Sequence, residues 1–433
     1  MSAPAVASLT CPQCGAAVEL RTLDQALSVV CASCGSILDA RDPNLHVLQE
    51  FQARQKFTPQ IPLGTRGTLK GEKWEVVGYQ VRRAPIDGTD YFWDEYVLFN
   101  PYKGFRYLTQ YDGHWNDVQV VKTVPKQTMH GEQPVITLHD ETFKHFQTAT
   151  AYTEFVLGEF PWQVNVGDKV IARDFVAPPR MLSEERTDDE TTWSLGTYMT
   201  GDQVWAAFAL PGKAPHARGV YANQPDVYKP LAGSMAKRYL LFVAIIAALV
   251  FIRLVTASRE TVFATNAQFF RPGASADSLA FITPSFTLRG RTTDLEVTTE
   301  AQVDNGWAYF EYALVNEQTG TTYEFGREVS YYYGRDEDGN WSEGSRRDHA
   351  LLPSVPAGQY FLRVAPEAQV PTPFLEYRIV VRRDVPTYTP YLIALALLAL
   401  PPILVGLRAW GMESARWKES DHAPSSDDDD DDE

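Results

Sequence analysis

Two stretches of the chain show no hydrophobic period because they are apolar all round. Tyr239–Ile252 is an uncharged run bracketed by Lys237, Arg238 and Arg253. It reaches 17 residues if it extends to Val255 with Arg253 snorkelling toward the headgroups. Tyr388–Leu407 is 20 residues without a charge. A hydrocarbon core takes about 20 apolar residues, within a range of roughly 17–25. One such run also fits a buried core helix. The pair reads as two transmembrane helices, at 236–256 and 388–407.

Elsewhere the apolar positions alternate with polar ones, the period of strands half-buried in a core. Lys73–Val81, Tyr91–Phe99, Phe105–Tyr111 and Trp115–Val124 are separated by the turn signals Asp87-Gly88, Lys103-Gly104 and Asp112-Gly113. Ten of the 25 residues from Tyr91 to Trp115 are aromatic, which predicts the core of a small barrel or sandwich, with a ligand groove as the second reading. A further β segment runs from Val135 to Leu157, and Gly201-Asp202 opens a helix holding Val204, Trp205 and Phe208. Asp42-Pro43 reads as an N-cap with proline in the first turn, predicting a short helix through Leu45, Leu48 and Phe51. Residues 260–385 read as about seven strands, which suits a β-sandwich. The acidic turn from Asp336 to Asn340 fails the calcium-loop register and predicts a hairpin tip. Pro390, Pro401 and Pro402 should kink the second span.

Charge narrows the partners. The net charge is −16, and the last seven residues, Asp427–Glu433, carry seven of the negative charges. Such a balance disfavours nucleic-acid binding, which needs a basic face. The acidic end predicts a disordered tail over 408–433. Met1–Thr10 carries no secretory pattern, so the amino-terminal part is expected not to be exported.

All four cysteines lie in the first 34 residues. Cys11-Pro-Gln-Cys14-Gly15 and Cys31-Ala-Ser-Cys34-Gly35 are two CxxC knuckles with 16 residues between them. Two knuckles complete a tetrahedral thiolate shell, and the glycine after each permits a left-handed turn. Disulfides and a redox motif are the rivals. A redox motif would not be doubled, and disulfides do not suit a segment that is not exported. The predicted cofactor is one structural zinc at Cys11, Cys14, Cys31 and Cys34, in a ribbon over 8–40.

Residues that could carry catalysis do not assemble in the sequence. Nucleophile elbow, zincin helix and phosphate-binding glycine loop motifs are all missing. His114, His130, His139 and His145 are expected on loops or at the surface. Asp94 and Glu95 fall on one strand, so they point to opposite faces and cannot act as an acid/base pair. Glu184, Glu185, Asp188, Asp189 and Glu190 read as a solvated turn, with a cation site as the minor reading.

Trp93-Asp94-Glu95-Tyr96, Gly158-Glu-Phe-Pro-Trp162, the stretch from Pro178-Pro179 through Leu182-Ser183 to Glu184, and the Cys-Pro-x-Cys-Gly ribbon together resemble bacterial proteins built on the domain of unknown function 4178. The resemblance covers about residues 8–210, with a further similarity at Gly339–Gly344. It implies no reaction. It does imply genomic neighbours such as spermidine-synthase-like, decarboxylase-like and small membrane proteins, and hence a stress- or polyamine-linked setting.

The expectation is a mainly β protein of the cell membrane with both termini cytosolic. A zinc ribbon and a cytosolic β domain over 60–210, with room for two subdomains, precede the first span. A β-sandwich over 260–385 lies outside, and an acidic tail follows the second span. Lys and Arg flank both spans on both sides, so orientation rests on the thiols. The expected function is a non-enzymatic scaffold or sensor that binds a protein partner through its β domains. The alternative is an enzyme or small-ligand receptor with a pocket in the aromatic 91–193 region.

Overall fold

The computed structural model describes residues 7–22, 25–50, 57–131, 133–270, 280–337, 339–370 and 374–423. It is mainly β, and it divides into two compact units, Met1–Ser234 with Pro402–Glu433, and Met235–Pro401.

The first unit is built on a closed barrel of eight antiparallel strands. In spatial order they are Glu72–Ile86, Thr89–Asn100, Gly104–Tyr111, His114–Val120, Thr191–Thr200, Arg180–Arg186, Lys169–Ala177 and Glu141–Phe160. The last pairs back onto the first, with Val156 opposite Gln80 and Gly158 opposite Gly78, so the sheet closes on itself. A Cβ on Gly78 would stand 2.3 Å from the Glu159 carbonyl oxygen, so the seam admits only glycine there. The turns after Ile86, Asn100 and Tyr111 fall at the predicted signals. The fourth strand ends at Val120, short of the expected Val124.

Arg82 and Glu185 fix which face points inward. Their strands are three apart in the wall, yet Arg82 Nη1 lies 3.6 Å from the Glu185 carboxylate. Neighbouring strands lie about 4.8 Å apart, so only a concave interior lets these two side chains meet. The outward face is apolar and covered. Tyr79, Tyr96, Leu98, Leu108 and Trp115 pack under Ile61, Leu69 and helix α1 (Gly201–Phe208), which contributes Val204 and Phe208. Thr200 caps α1 by accepting from Gln203 N. Phe175 and Leu182 pack under the hairpin of Lys126–His130 and Gln133–Leu138.

The amino-terminal ribbon has two small sheets. Ala7–Thr10 pairs with Ala17–Leu20, while Ser28–Val30, Ile37–Asp39 and Val47–Gln49 extend the long barrel strand through Val29 opposite Glu159. The ribbon fold thus runs on to Gln49, beyond the 8–40 expected. Val30 and Ile37 pack against Val77, Val97, Phe99, Val156 and Phe160 and close one end of the barrel with an apolar layer. The helix expected after Asp42 does not form. Asp42 instead holds a turn, accepting from Asn44 N at 2.8 Å, and Leu45 is left-handed at φ 50°. The chain then pairs as a strand, and Phe51 lies outside the described residues.

Helix α2 (Tyr228–Thr256) starts eight residues before the predicted span, because Asp226 caps it by accepting from Tyr228 N at 2.7 Å. Helix α3 (Thr389–Trp417) continues through Pro401 and Pro402 and ten residues past Leu407. Both are long and apolar enough to cross a membrane, and the apolar window of each is wholly unburied, unlike a core helix. Residues 408–417, expected in the disordered tail, are therefore helical, and Asp421 accepts from Thr148 N at 2.8 Å. The acidic run 427–433 lies outside the described residues.

The second unit holds the expected sandwich. One sheet orders Glu260–Phe270, Phe374–Arg383, Thr293–Ala301 and Arg347–Val355. The other is organised on Gly358–Gln369, Gly306–Asn316, Thr322–Asp336 and Gly339–Ser345, with Phe281–Ile282 and Phe286–Leu288 short against the first of these. The strands at 260–270, 339–345 and 347–355 lie outside the expected seven. Phe310, Leu314, Leu362, Val364, Ile379 and Val381 form the centre of its core. Asp336 pairs with Gly339 at a hairpin tip, as the failed calcium register predicted.

Candidate metal centre and barrel lumen

Local hydrogen bonds shape both cysteine knuckles. Gly15 N donates to Cys11 O at 2.9 Å and Gly35 N to Cys31 O at 2.8 Å, with the glycines at φ 76° and 79°. The four thiols are free, and their sulfurs all lie within 4.8 Å of one another. Cys11 and Cys34 sulfurs are 3.8 Å apart, and Cys14 and Cys31 sulfurs 3.7 Å. A tetrahedral thiolate shell with metal–sulfur bonds of about 2.3 Å has edges of about 3.8 Å. The cluster therefore has the dimensions to hold one metal ion. All four positions are filled by protein, so no site is left for a substrate.

The barrel wall separates two chemistries. Asp94 and Glu95 point to opposite faces, as their spacing predicted. Asp94 accepts from Tyr79 Oη at 2.7 Å on the outside. Glu95 accepts from Gln80 Nε2 at 2.6 Å and Trp93 Nε1 at 2.7 Å within the lumen. Glu184 and Glu185 do not form a solvated turn. They lie on the strand Arg180–Arg186, where Glu184 pairs outside with Arg173 at 2.9 Å and Glu185 enters the lumen. Only Asp188–Glu190 occupy the turn. Its inward positions, Met181, Ser183 and Glu185, and its outward ones, Arg180, Leu182, Glu184 and Arg186, each mix apolar with polar, so no alternation reveals the strand.

Three carboxylates, Glu95, Asp174 and Glu185, thus share the lumen with one arginine, Arg82. Ser183 Oγ donates to Asp174 Oδ1 at 2.5 Å, and Gln147 Nε2 donates to Oδ2 at 3.3 Å. Burial raises the Asp174 carboxyl above its ordinary range, and these two donors only partly offset it. Burial raises Glu185 as well; Arg82 opposes the rise, while Glu95 and Asp174 add to it. Yet the Glu185 side chain keeps 40% of its surface accessible, so the lumen has room for water beside it. Arg82 is more than nine-tenths buried, and its Nε and Nη2 have no partner; the buried Gln80 Oε1 has none either.

The end of the lumen opposite the ribbon is capped by the loop around Tyr221. That ring stacks on His114 at 5.4 Å, and Asn223 Nδ2 donates to Asn116 Oδ1 at 2.7 Å. Arg416, at the end of α3, holds the loop by donating to the carbonyls of Tyr221 at 2.9 Å and of Ala222 and Gln224 at 2.7 Å each. Two histidines expected at the surface are buried here. His114 sits between Tyr198 Oη and Arg218 O, and His145 between His422 and Thr148. Burial lowers both below the ordinary histidine range. His130 is exposed, and His139 occupies a left-handed turn position.

Comparison with curated protein sequences finds no match. Among solved structures, the insecticidal delta-endotoxin Cry8Ea1 from Bacillus thuringiensis is 6% identical over 72% of this chain and 53% of its own, with a TM-score of 0.15. This chain thus spans about half the length of the toxin. The infectious bursal disease virus Gt strain structure is 9% identical over 84% of this chain and 64% of its own, with a TM-score of 0.16. At these scores neither likeness bears on the fold. Residues 62–201, which contain all eight barrel strands, match the family described as Domain of unknown function (DUF4178).

Proposed function

We propose that this protein is a membrane-tethered, non-enzymatic sensor whose barrel is a small-ligand receptor. Its helices α2 and α3 both cross a cell membrane. Its ribbon carries a structural zinc, because four thiolates at these distances suit that ion and leave no open coordination position. The barrel and both termini lie on the cytosolic side, where thiols stay reduced, and the sandwich lies outside.

The observation that carries the reading is the grip of Arg416 on the loop that caps the barrel. The far end of α3 belongs to the same compact unit as the barrel, as it must if two spans return the chain to one side. The same grip gives a mechanical route from lumen to membrane helix. The polar interior, with Arg82 and Gln80 atoms left unpartnered, favours a receptor over a scaffold that uses its aromatic strands only as core. The stress- or polyamine-linked setting belongs to this proposal only as what the sequence resemblance implies; the matched family's description names no function.

Topology is tested on intact cells with a membrane-impermeant thiol reagent. A cysteine placed at exposed Glu343 should be labelled and one at exposed Tyr102 spared; the reverse pattern overturns the orientation. Coupling is tested by Arg416→Ala. Amide exchange over 219–224 should rise by more than about tenfold while the barrel strands stay protected, since three hydrogen bonds to a charged donor are lost. An unchanged loop would mean that α3 does not control the cap.

A further inference from the structure

We infer that the barrel lumen binds a small zwitterion, one carboxylate and one ammonium on a molecule the size of a free amino acid. The inference rests on the receptor reading and adds the chemistry of the ligand.

Arg82 makes the case for the carboxylate. Nε–H and Nη2–H form one edge of a guanidinium, two parallel donors that match a carboxylate. The protein uses the same edge on the outside of the barrel, where Arg106 Nε and Nη2 each donate to one oxygen of Asp117. In the lumen, Arg82 turns Nη1 toward Glu185 at 3.6 Å and Glu95 at 3.9 Å, and its Nε/Nη2 edge has no partner although the residue is only 5% exposed. A buried donor pair without an acceptor is costly, so the edge is shaped for a group that arrives from solution.

The remaining charges make the case for the ammonium. Glu95, Asp174 and Glu185 outnumber Arg82 three to one, so an anion with no positive charge would meet repulsion. Gln80 Oε1 is a buried acceptor without a donor, the complement of the empty arginine edge. Trp93 and Tyr107 lie on the inward face beside Glu95, supplying aromatic surface for a cation. A bare metal ion does not fit: among the described residues only the four cysteines come close enough to share one. An eight-stranded barrel is just wide enough for its own side chains or for one small ligand, which sets the upper limit of size.

The test is calorimetric titration of full-length, metal-loaded protein in detergent micelles. The probes are the twenty common amino acids and glycine betaine, with acetate, methylammonium and putrescine as single-charge-type controls. At least one zwitterion should saturate at one per chain, and the three controls should not bind at the same concentrations. Arg82→Gln and Glu185→Gln should each weaken it by at least about tenfold, as charge-assisted pairs are lost. Arg83→Gln, one residue along and on the outer face, should leave it unchanged. Arg82→Lys, which keeps the charge and loses the fork, should still weaken it, and it serves where the glutamine variant does not fold. The inference is overturned if acetate or putrescine binds as well as any zwitterion, or if Arg82→Lys binds like the parent. If no small molecule of any charge binds, the receptor reading fails with it.

Discussion

Arg106 and Arg82 are the same side chain on the two faces of one barrel wall, and they are treated in opposite ways. Arg106 is desolvated and fully used: both oxygens of Asp117 fill its fork, Trp74 lies 5.6 Å from its guanidinium, and Lys70 completes the carboxylate's partners at 2.7 Å. Arg82 is as deeply buried, yet three of its five N–H donors, on Nε and Nη2, have no acceptor. Unsatisfied buried donors each cost about 1–3 kcal/mol. A wall that fills the fork of its outer arginine and leaves that of its inner one open keeps inside the donors that the proposed receptor would use. The sandwich shows what an interior looks like without that demand. It too buries single arginine donors without hydrogen-bond partners, Arg327 Nε and Arg383 Nε, but around them the core is apolar and the buried hydroxyls of Thr299 and Tyr312 close on each other at 2.6 Å.

The largest way to break the contrast is to remove the zinc proposed for the four cysteines. Structural zinc contributes about 10–16 kcal/mol of binding free energy that is also folding free energy. The ribbon supplies the apolar layer at one end of the lumen, and Glu159 of the barrel accepts from Arg21 N, Thr22 N and Thr22 Oγ1. Chelation or Cys31→Ser should therefore expose amides from 7 to 49 together with those of 158–160, while strands 89–120 stay protected. Hydrogen exchange with and without chelator reads this directly. A ribbon that stays protected without metal would show that its own small core suffices.

A sharper probe is to change one arginine at a time. Arg106→Met leaves Asp117, 1% exposed, with only Lys70. Breaking a buried pair in this way costs about 3–5 kcal/mol, and the surviving lysine places it at the lower end. Arg82→Gln removes N–H donors that had no partner together with looser ion pairs to Glu185 at 3.6 Å and Glu95 at 3.9 Å, so the barrel should lose less than with Arg106→Met. Denaturant midpoints of barrel-strand exchange give both numbers. Equal losses would mean that the lumen arginine is structural, and the contrast between the faces would disappear.

How much of this could be read from the sequence depends on whether the signal was local. The knuckles were legible because the metal needs four thiols at fixed spacing. The hairpins at Asp87-Gly88 and Asp112-Gly113 were legible because turns select residues, and the opposed Asp94 and Glu95 because strands have period two. Barrel closure was not legible: it depends on Gly158 meeting Gly78 across 80 positions, which no local pattern records. Glu185 was misread because each face of Arg180–Arg186 mixes apolar with polar residues, so the strand looks like loop. The flanking Pro178-Pro179 and the Asp188–Glu190 turn were the available hint that a strand of seven lay between them. Leu45 and Leu48 carried a helical spacing, but Leu45 took a left-handed turn and pairing with Ile37–Leu38 won. Arg416 was hidden in a polar stretch because its partners are backbone carbonyls nearly 200 positions away.

The smallest expected effect has opposite signs in the Arg106–Asp117 pair and in the lumen; outer Asp94 is raised as well, so the sign follows the cationic partners and not the face alone. Burial would raise Asp117, but Arg106 and Lys70 outweigh it and hold the carboxyl below its ordinary range. A depressed carboxyl contributes stability that is present above its unfolded pKa, about 3.9, and is lost as pH falls through the lower folded value. Asp174 and Glu185 are raised. Their contribution is present below their unfolded values, about 3.9 and 4.3, and is lost as pH rises through the higher folded ones. Acidifying from neutral to about pH 4 should therefore relieve the lumen before it touches the outer pair, and only below that should Asp117 begin to fail. His114 and His145, both lowered, lose stability as pH falls below about 6.5, so in a His114→Gln, His145→Gln background the stability of the barrel strands across this range should rise and then fall. Asp174→Asn should flatten the rise and leave the fall; Asp117→Asn should lower the whole curve and flatten the fall. A profile in which Asp174→Asn leaves the rise unchanged would mean that the lumen carboxylates are already solvated as in water, and that the inner face of the wall is no different from the protein surface.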